Sequence, residues 1–267
     1  MSVEQEEFGS LLPAIPSKRL FVYRNSSYVL KAIEPLADSS EQEIFYQASK
    51  FSPQPVAEAL GGRATMNFFD GPGSKQYVLK SYRRGGLMRN ILPGGLFLGW
   101  GIRRSTDELR ALVTAAELGL RVPTPIGTLT RGSWLIREWL IMGALPVHRT
   151  LAGLALTGED DESIPFEKYL REVVDQIEIL IQHKIVHVDL HPGNVVVAND
   201  GSVYLIDFDH AYVSRETERQ LRDRYIRRWR RAVIKHELPE YLSEIFCSLL
   251  RRRPSDGEPM SQPELTS

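Results

Sequence analysis

The sequence predicts an α+β protein in two unequal parts, a β-rich front with one main helix and a mostly helical back. Three observations carry this. Short β-type runs separated by turn residues dominate from Lys18 to Trp139. From Phe166 onward, apolar residues recur at the spacing of one helix face. Within the back, Asp200-Gly201 stands between two β-branched runs, a strong hairpin signal. A chain of 267 residues can form one large domain or two modest ones. Its 42% hydrophobic and 25% charged residues are those of an ordinary globular protein, which excludes disordered, collagen-like and coiled-coil classes.

Residues 1–17 read as an N-terminal extension. Glu4, Glu6 and Glu7 stand where a signal peptide needs positive charge followed by an apolar run. Residues 18–139 form the β-rich front, with runs at Leu20–Tyr23, Tyr28–Ile33, Met66–Phe69, Tyr77–Tyr82 and Trp134–Trp139. One helical pattern, Thr106 to Leu118, interrupts them with Leu109, Leu112, Val113 and Ala116 on one face. Pro123 and Pro125 close the connection after it. The junction falls near Glu138–Gly143, and residues 140–253 form the back. There Phe166, Leu170, Val173, Val174, Ile177, Leu180 and Ile181 mark one helix, and Leu221, Tyr225, Trp229 and Val233 a second. A shorter one follows at Tyr241–Leu250, and residues 254–267 read as a flexible tail. No stretch approaches the roughly 20 apolar residues of a membrane-spanning helix, so a cytoplasmic chain is expected.

The net charge of -1 excludes a globally basic nucleic-acid binder, so no nucleic-acid partner is expected. The single Cys247 excludes a disulfide framework and a cysteine-based zinc site. Arginine outnumbers lysine 25 to 8, which favours an anionic ligand, since the guanidinium fork matches phosphate and carboxylate.

The chemistry concentrates in Ile185-Val186-His187-Val188-Asp189-Leu190-His191-Pro192-Gly193-Asn194 and in Tyr204-Leu205-Ile206-Asp207-Phe208-Asp209. With Asp200 and Gly201 as the turn residues, Asn194 falls opposite Asp207 at the open end of the hairpin. An amide oxygen and a carboxylate meeting there, close to the carboxylate of Asp189, suit Mg²⁺, which takes few protein oxygens together with substrate phosphates.

This spacing, His187-x-Asp189-Leu190-x-x-x-Asn194, resembles the kinase catalytic loop, and Asp207-Phe208-Asp209 stands where kinases carry Asp-Phe-Gly. The resemblance implies a two-lobed protein-kinase-like fold, with nucleotide bound by residues 18–139 and the catalytic loop and acceptor site in residues 140–253. It implies ATP and Mg²⁺, with Asp189 accepting the proton of the substrate hydroxyl and Asn194 and Asp207 holding the metal. Lys80, in Tyr77-Val78-Leu79-Lys80, matches the phosphate-binding lysine, and Gly61-Gly62-Arg63-Ala64-Thr65 the loop over the phosphates. Glu108 or Glu117 would pair with Lys80, although Ser105-Thr106-Asp107-Glu108 also spells a capping box in which Glu108 serves only its own helix. His187 reads as a structural hydrogen-bonder. Asp209 replaces a glycine and reads either as a plain turn residue or as a change in the switching of the loop.

Residues Ala14 to Arg253 resemble the 3-deoxy-D-manno-octulosonic acid (Kdo) kinases of the lipopolysaccharide kinase group. The likeness rests on Gly61–Thr65, Tyr77–Leu87 with its Tyr-Arg-Arg-Gly-Gly-Leu ending, Leu118–Pro125 and the Asp-Phe-Asp triplet. It implies ATP-dependent phosphorylation of the 4-hydroxyl of Kdo in Kdo–lipid A during lipopolysaccharide inner-core biosynthesis, by an enzyme peripheral to the cytoplasmic face of the bacterial inner membrane. The Kdo carboxylate would be met by arginine. Residues 82–104 carry Arg83, Arg84, Arg89, Arg103 and Arg104 among Leu96, Phe97, Leu98 and Trp100, without Asp or Glu, and suit docking on an anionic membrane surface. A buried insertion packed on the front is the other reading of that stretch. The competing functions are a small-molecule phosphotransferase of the aminoglycoside or choline kinase type and a catalytically inactive kinase-like binding module.

Overall fold

β-Branched and aromatic residues in alternation build the front of the chain as one antiparallel sheet. The computed structural model describes residues 4–25, 27–51, 65–71, 75–82, 97–98, 104–132, 135–146, 148–157 and 165–252. The strands are β1 (Glu4–Phe8), β2 (Lys18–Arg24), β3 (Tyr28–Ala32), β4 (Thr65–Asp70), β5 (Gln76–Ser81), β6 (Phe97–Leu98), β7 (Pro125–Arg131) and β8 (Leu135–Gly143). Their order is β1-β2-β3-β7-β8-β5-β4, with β6 pairing β8 off this path. Helix α1 (Asp38–Ser49) and helix α2 (Arg104–Glu117) pack on its opposite faces. Leu79, Trp139 and Ile141 share a cluster with Ile44, Phe45 and Ala48 of α1. Val78, Leu140 and Met142 join Leu109, Leu112 and Val113 of α2. Side chains alternate along a strand, so Lys80, two residues from Val78, faces α2.

The front departs from the sequence expectation at several points. The N-terminal extension supplies β1, whose glutamates blunt a sheet edge, as in the pair of Lys31 with Glu6. The front carries a second helix, α1, that the sequence reading missed because its buried apolar face is only Ile44, Phe45 and Ala48. β7 starts at Pro125, expected to lie in a connection, and a bulge follows it. Gly127 there lies so close to β3 that a Cβ would come within 2.2 Å of the Lys31 carbonyl oxygen. The expected junction, Glu138–Gly143, lies inside β8, which leaves the sheet only after Gly143.

The back comprises β9 (His148–Thr150), α3 (Leu151–Thr157), α4 (Phe166–Gln182), β10 (Ile185–Val186), β11 (Val195–Ala198), β12 (Val203–Leu205), β13 (Tyr212–Val213), α5 (Glu218–Lys235) and α6 (Tyr241–Arg251). The three expected helices are α4, α5 and α6. α4 buries Leu170, Val173, Val174, Ile177, Leu180 and Ile181, a gross stabilisation on the order of 10 kcal/mol at about 1.5–3 kcal/mol for each such side chain. A Thr217–Gln220 capping box starts α5. Trp229 of α5 stacks on Phe246 of α6 at 4.2 Å and donates to the Leu242 carbonyl at 3.1 Å. Buried Arg222 ties the three helices together, reaching Glu178 of α4 and the Leu250 carbonyl of α6. Among the described residues no helix is long and apolar enough to cross a membrane.

Candidate active site

The β11–β12 hairpin brings the metal-type oxygens together, in a register one residue different from that expected. Val195 pairs with Leu205 and Val197 with Val203, so Asn194 lies opposite Ile206 rather than Asp207. The turn is the cause. Gly201 takes a left-handed φ of 82° and donates to the Ala198 carbonyl, while Ser202 pairs back to Ala198, making a three-residue loop. Asp207 adopts φ 64°, unusual outside glycine, and still lines one cavity with Asn194. Such backbone strain is found where the surrounding structure holds a functional side chain in place.

The loop from His187 to Asn194 is held from three sides. Tyr225 of α5 accepts from the His187 backbone N–H and donates to the Ile185 carbonyl, both at 2.9 Å. His187 is buried, donates from Nε2 to the Ile206 carbonyl at 3.0 Å and sets its ring edge against Phe208. Burial pushes its pKa down to about 4, so it is neutral at pH 7 and structural, as expected. His191 accepts from the Gly193 N–H at 3.0 Å, capping the 3-10 turn Pro192–Asn194, and its pKa also falls to about 4 through burial and His236. Both histidines take up protons in the unfolded chain near pH 6.5 but not in the folded one, so stability is complete above that pH and lost as pH falls towards 4. The loss for His187 reaches about 3 kcal/mol at pH 4, with less from the shallower His191. Urea midpoints at pH 7.5 and 5 check this; equal midpoints would reject it.

Across the cavity, Lys80 Nζ donates to both Glu108 oxygens at 2.8 and 3.0 Å and to Asp207 Oδ1 at 2.6 Å. Tyr82 donates its hydroxyl to Glu108 at 2.5 Å. Burial alone would lower the pKa of Lys80, but the two carboxylates override it and hold the pKa above the ordinary value. Burial would likewise raise the pKa of Asp207, and the Lys80 ammonium instead keeps it low. Glu108 is thus committed to Lys80. The Ser105 hydroxyl donates at 2.7 Å to buried Glu138 of β8, and Glu108 pairs with Lys80 rather than serving as the alternative capping-box residue. Glu117 pairs with Lys18 instead. Gly61, Gly62 and Arg63 lie outside the described residues.

Asn194 donates its amide to the Asp189 carbonyl at 2.9 Å, leaving its amide oxygen as an acceptor in the cavity that Asp207 also lines. An amide oxygen and a carboxylate are hard donors that fit Mg²⁺ shared with phosphates. Among the described residues no three His, Cys, Asp or Glu side chains group to hold a metal by themselves. Apart from His148 the rest of the cavity is mostly apolar, with Phe68, Val78, Met142 and Val196 forming a slot of the kind that takes a flat base.

Sequence reasoning missed two contacts. Arg104, at the start of α2, pairs with Asp209 and lies over the Tyr82 ring at 5.3 Å. Left-handed backbone falls at Asp207 and His210, not at 209, so a glycine is not required there. Asp209 thereby ties the Asp207 segment to the helix carrying Glu108. Half-buried pairs of this kind contribute about 1–2 kcal/mol, so Asp209→Ala should lower turnover about tenfold, and exchanging the two charges should restore part of it. Steady-state kinetics check this, and wild-type rates in Asp209→Ala would make it a plain turn residue. The second contact is Arg228 of α5 on Asp189. Its only signal in the sequence is the position of Arg228, one helical turn beyond Tyr225.

The motif Leu118–Pro125 also gains a physical role. Gly119, at φ 82°, ends α2, with Leu120 donating back to Ala115 at 3.0 Å. The Arg121 carbonyl accepts from Leu205 and its N–H donates to Gln176 of α4. The motif fastens α2 to the hairpin.

A lysine held by a glutamate from a helix, facing an asparagine and an aspartate that follow a loop aspartate in kinase order, is the equipment of an ATP-dependent kinase. The Lipopolysaccharide kinase (Kdo/WaaP) family model matches residues 50–246, and the chain belongs to that family. A 3-deoxy-D-manno-octulosonic acid kinase of Vibrio parahaemolyticus is 26% identical over 220 residues, 81% of this chain and 90% of that protein. Another, from Vibrio cholerae, is 29% identical over 140 residues, 52% of this chain and 57% of the relative. The serine/threonine-protein kinase greatwall of Danio rerio is 34% identical over 90 residues, 34% of this chain and 10% of that protein.

Proposed function

We propose that the chain transfers the terminal phosphoryl group of ATP to the 4-hydroxyl of Kdo in Kdo–lipid A, during assembly of the lipopolysaccharide inner core. The observation that carries this reading is the convergence of Lys80, Glu108, Asn194 and Asp207 on one cavity, in a chain of the Kdo/WaaP family. In this reading the sheet with α1 and α2 is a nucleotide-binding lobe, and the helices from α3 to α6 are the second lobe of a kinase-like fold. Lys80, positioned by Glu108, meets the ATP phosphates. Asp189 orients the acceptor hydroxyl and takes its proton as the oxygen attacks phosphorus and the bond to ADP breaks. Mg²⁺ held by Asn194 and Asp207 would neutralise charge on the phosphates.

A cationic acceptor of the aminoglycoside or choline type suits the chain poorly. α5 presents seven arginines, and one of them touches Asp189. The deciding assay sets labelled ATP with Kdo–lipid A beside an aminoglycoside and a generic protein. Label in Kdo–lipid A alone is expected. Label in the aminoglycoside would overturn the substrate assignment, and label in none the enzyme.

The same reading has the enzyme sit peripherally on the cytoplasmic face of the inner membrane. Arg104 is committed to Asp209; Arg83, Arg84, Arg89 and Arg103 lie outside the described residues, and on this reading each would contribute about 1 kcal/mol near an anionic surface. The backbone of Phe97 and Leu98 forms β6, paired with β8. Serine at Leu96, Phe97 and Trp100 should lower vesicle binding and activity on embedded acceptor more than on deacylated acceptor. Equal loss on both would leave packing as the role.

A further inference from the structure

The loop aspartate is not bare. The Arg228 guanidinium donates to Asp189 Oδ1, with the two side chains 34% and 49% exposed. The fold makes this meeting unavoidable. Tyr225 grips the backbone at His187, and one helical turn along α5 Arg228 arrives beside Asp189, two residues along the loop. Two other α5 arginines have carboxylates of their own. Arg222 holds Glu178 and Arg224 holds Glu216. Among the described residues, the carboxylate that Arg228 finds is that of Asp189. Its Nε is buried without a hydrogen-bond partner, so the guanidinium is only partly satisfied.

A cation fixed on the oxygen that must accept a proton opposes that task, because it stabilises the charged carboxylate. The contact makes chemical sense if it is exchanged during binding. A half-exposed pair is worth no more than about 1 kcal/mol, so exchange costs little. A forked guanidinium takes a carboxylate through two parallel hydrogen bonds, a better partner than one aspartate oxygen. In Kdo a single methylene separates the carbon bearing the carboxylate from the carbon bearing the 4-hydroxyl. A hydroxyl on Asp189 therefore brings the acceptor's carboxylate within reach of Arg228.

We infer that Arg228 binds the carboxylate of the acceptor sugar and, in moving to it, frees Asp189 for the hydroxyl. This rests on the Kdo reading above and names the residue that selects an acidic sugar.

The test compares Kdo–lipid A with its carboxyl-reduced analogue for the wild type, Arg228→Gln and Arg228→Lys, with Mg²⁺-ATP affinity titrated in each. The wild type should favour the carboxylate acceptor about tenfold to a hundredfold in kcat/KM, the size of a charge-assisted pair. Arg228→Gln should lose most of that preference through a higher KM, and Arg228→Lys should keep part. If Arg228→Gln loses its nucleotide affinity, the ratio in Arg228→Lys decides. The same proportional loss on both acceptors would overturn the inference and leave Arg228 acting on Asp189 alone. So would a wild type indifferent to the carboxyl group. A wild type that labels neither acceptor would overturn the Kdo reading and this inference with it.

Discussion

Asp189→Ala should lower turnover by about 10²–10⁴-fold, the usual worth of a positioned general base, while leaving Mg²⁺-ATP affinity nearly unchanged. The separation follows from position. Asp189 is not among the residues lining the nucleotide-type cavity, and its side chain is half exposed against Arg228. Removing it leaves Arg228 partly solvated, so the stability cost should stay below about 1 kcal/mol. Stopped-assay turnover with Kdo–lipid A and a nucleotide titration give the two readings. Near-normal turnover would reject the assignment of Asp189, and loss of nucleotide affinity would mean that it supports the fold instead.

Asp207→Ala should act on the other half of the site and remove the Mg²⁺ dependence of nucleotide binding. Asp207 is both an oxygen donor beside Asn194 and a partner of Lys80 at 2.6 Å. The Lys80–Glu108 pair at 2.8 Å remains in the variant and keeps the buried ammonium satisfied, so the protein should fold. Affinity for ATP with Mg²⁺ present should fall at least about a hundredfold, since a charged oxygen and its metal leave together. Titrations with and without Mg²⁺ decide this. A retained difference between the two would show that the metal is held elsewhere.

Much of the site was legible because its signals are local. Asp189, Asn194 and Asp207 sit in a short loop and the hairpin that follows it, where order and spacing are visible in one stretch. Lys80 was recognisable from its apolar neighbours, and α4, α5 and α6 from unbroken helical periodicity. Less legible were elements whose order comes from partners distant in sequence. α1 has a thin apolar face and β1 is mostly glutamate; both exist because the sheet offers a surface or an edge. The register at Asn194 turned on whether Asp200-Gly201 made a two- or three-residue loop. A strong turn signal does not decide that alone.

Residue order alone specifies the chemistry available: which carboxylates, which lysine, which hairpin, and an arginine excess suited to an anionic acceptor. Tertiary structure decided the pairings. Ser105-x-x-Glu108 read equally as a cap, and only the approach of β5 to α2 gave Glu108 a lysine to hold. Asp209 read either as a plain turn residue or as a change in the loop's switching until Arg104 met it across 105 residues of chain. Arg228 was one arginine among many until α5 set it on Asp189. A charge's partner depends on distance after folding, and side chains far apart in sequence carry no mark of that distance. Local propensity and periodicity act within a few residues, so they are readable; long-range ion pairs form only where packing has already placed the backbone.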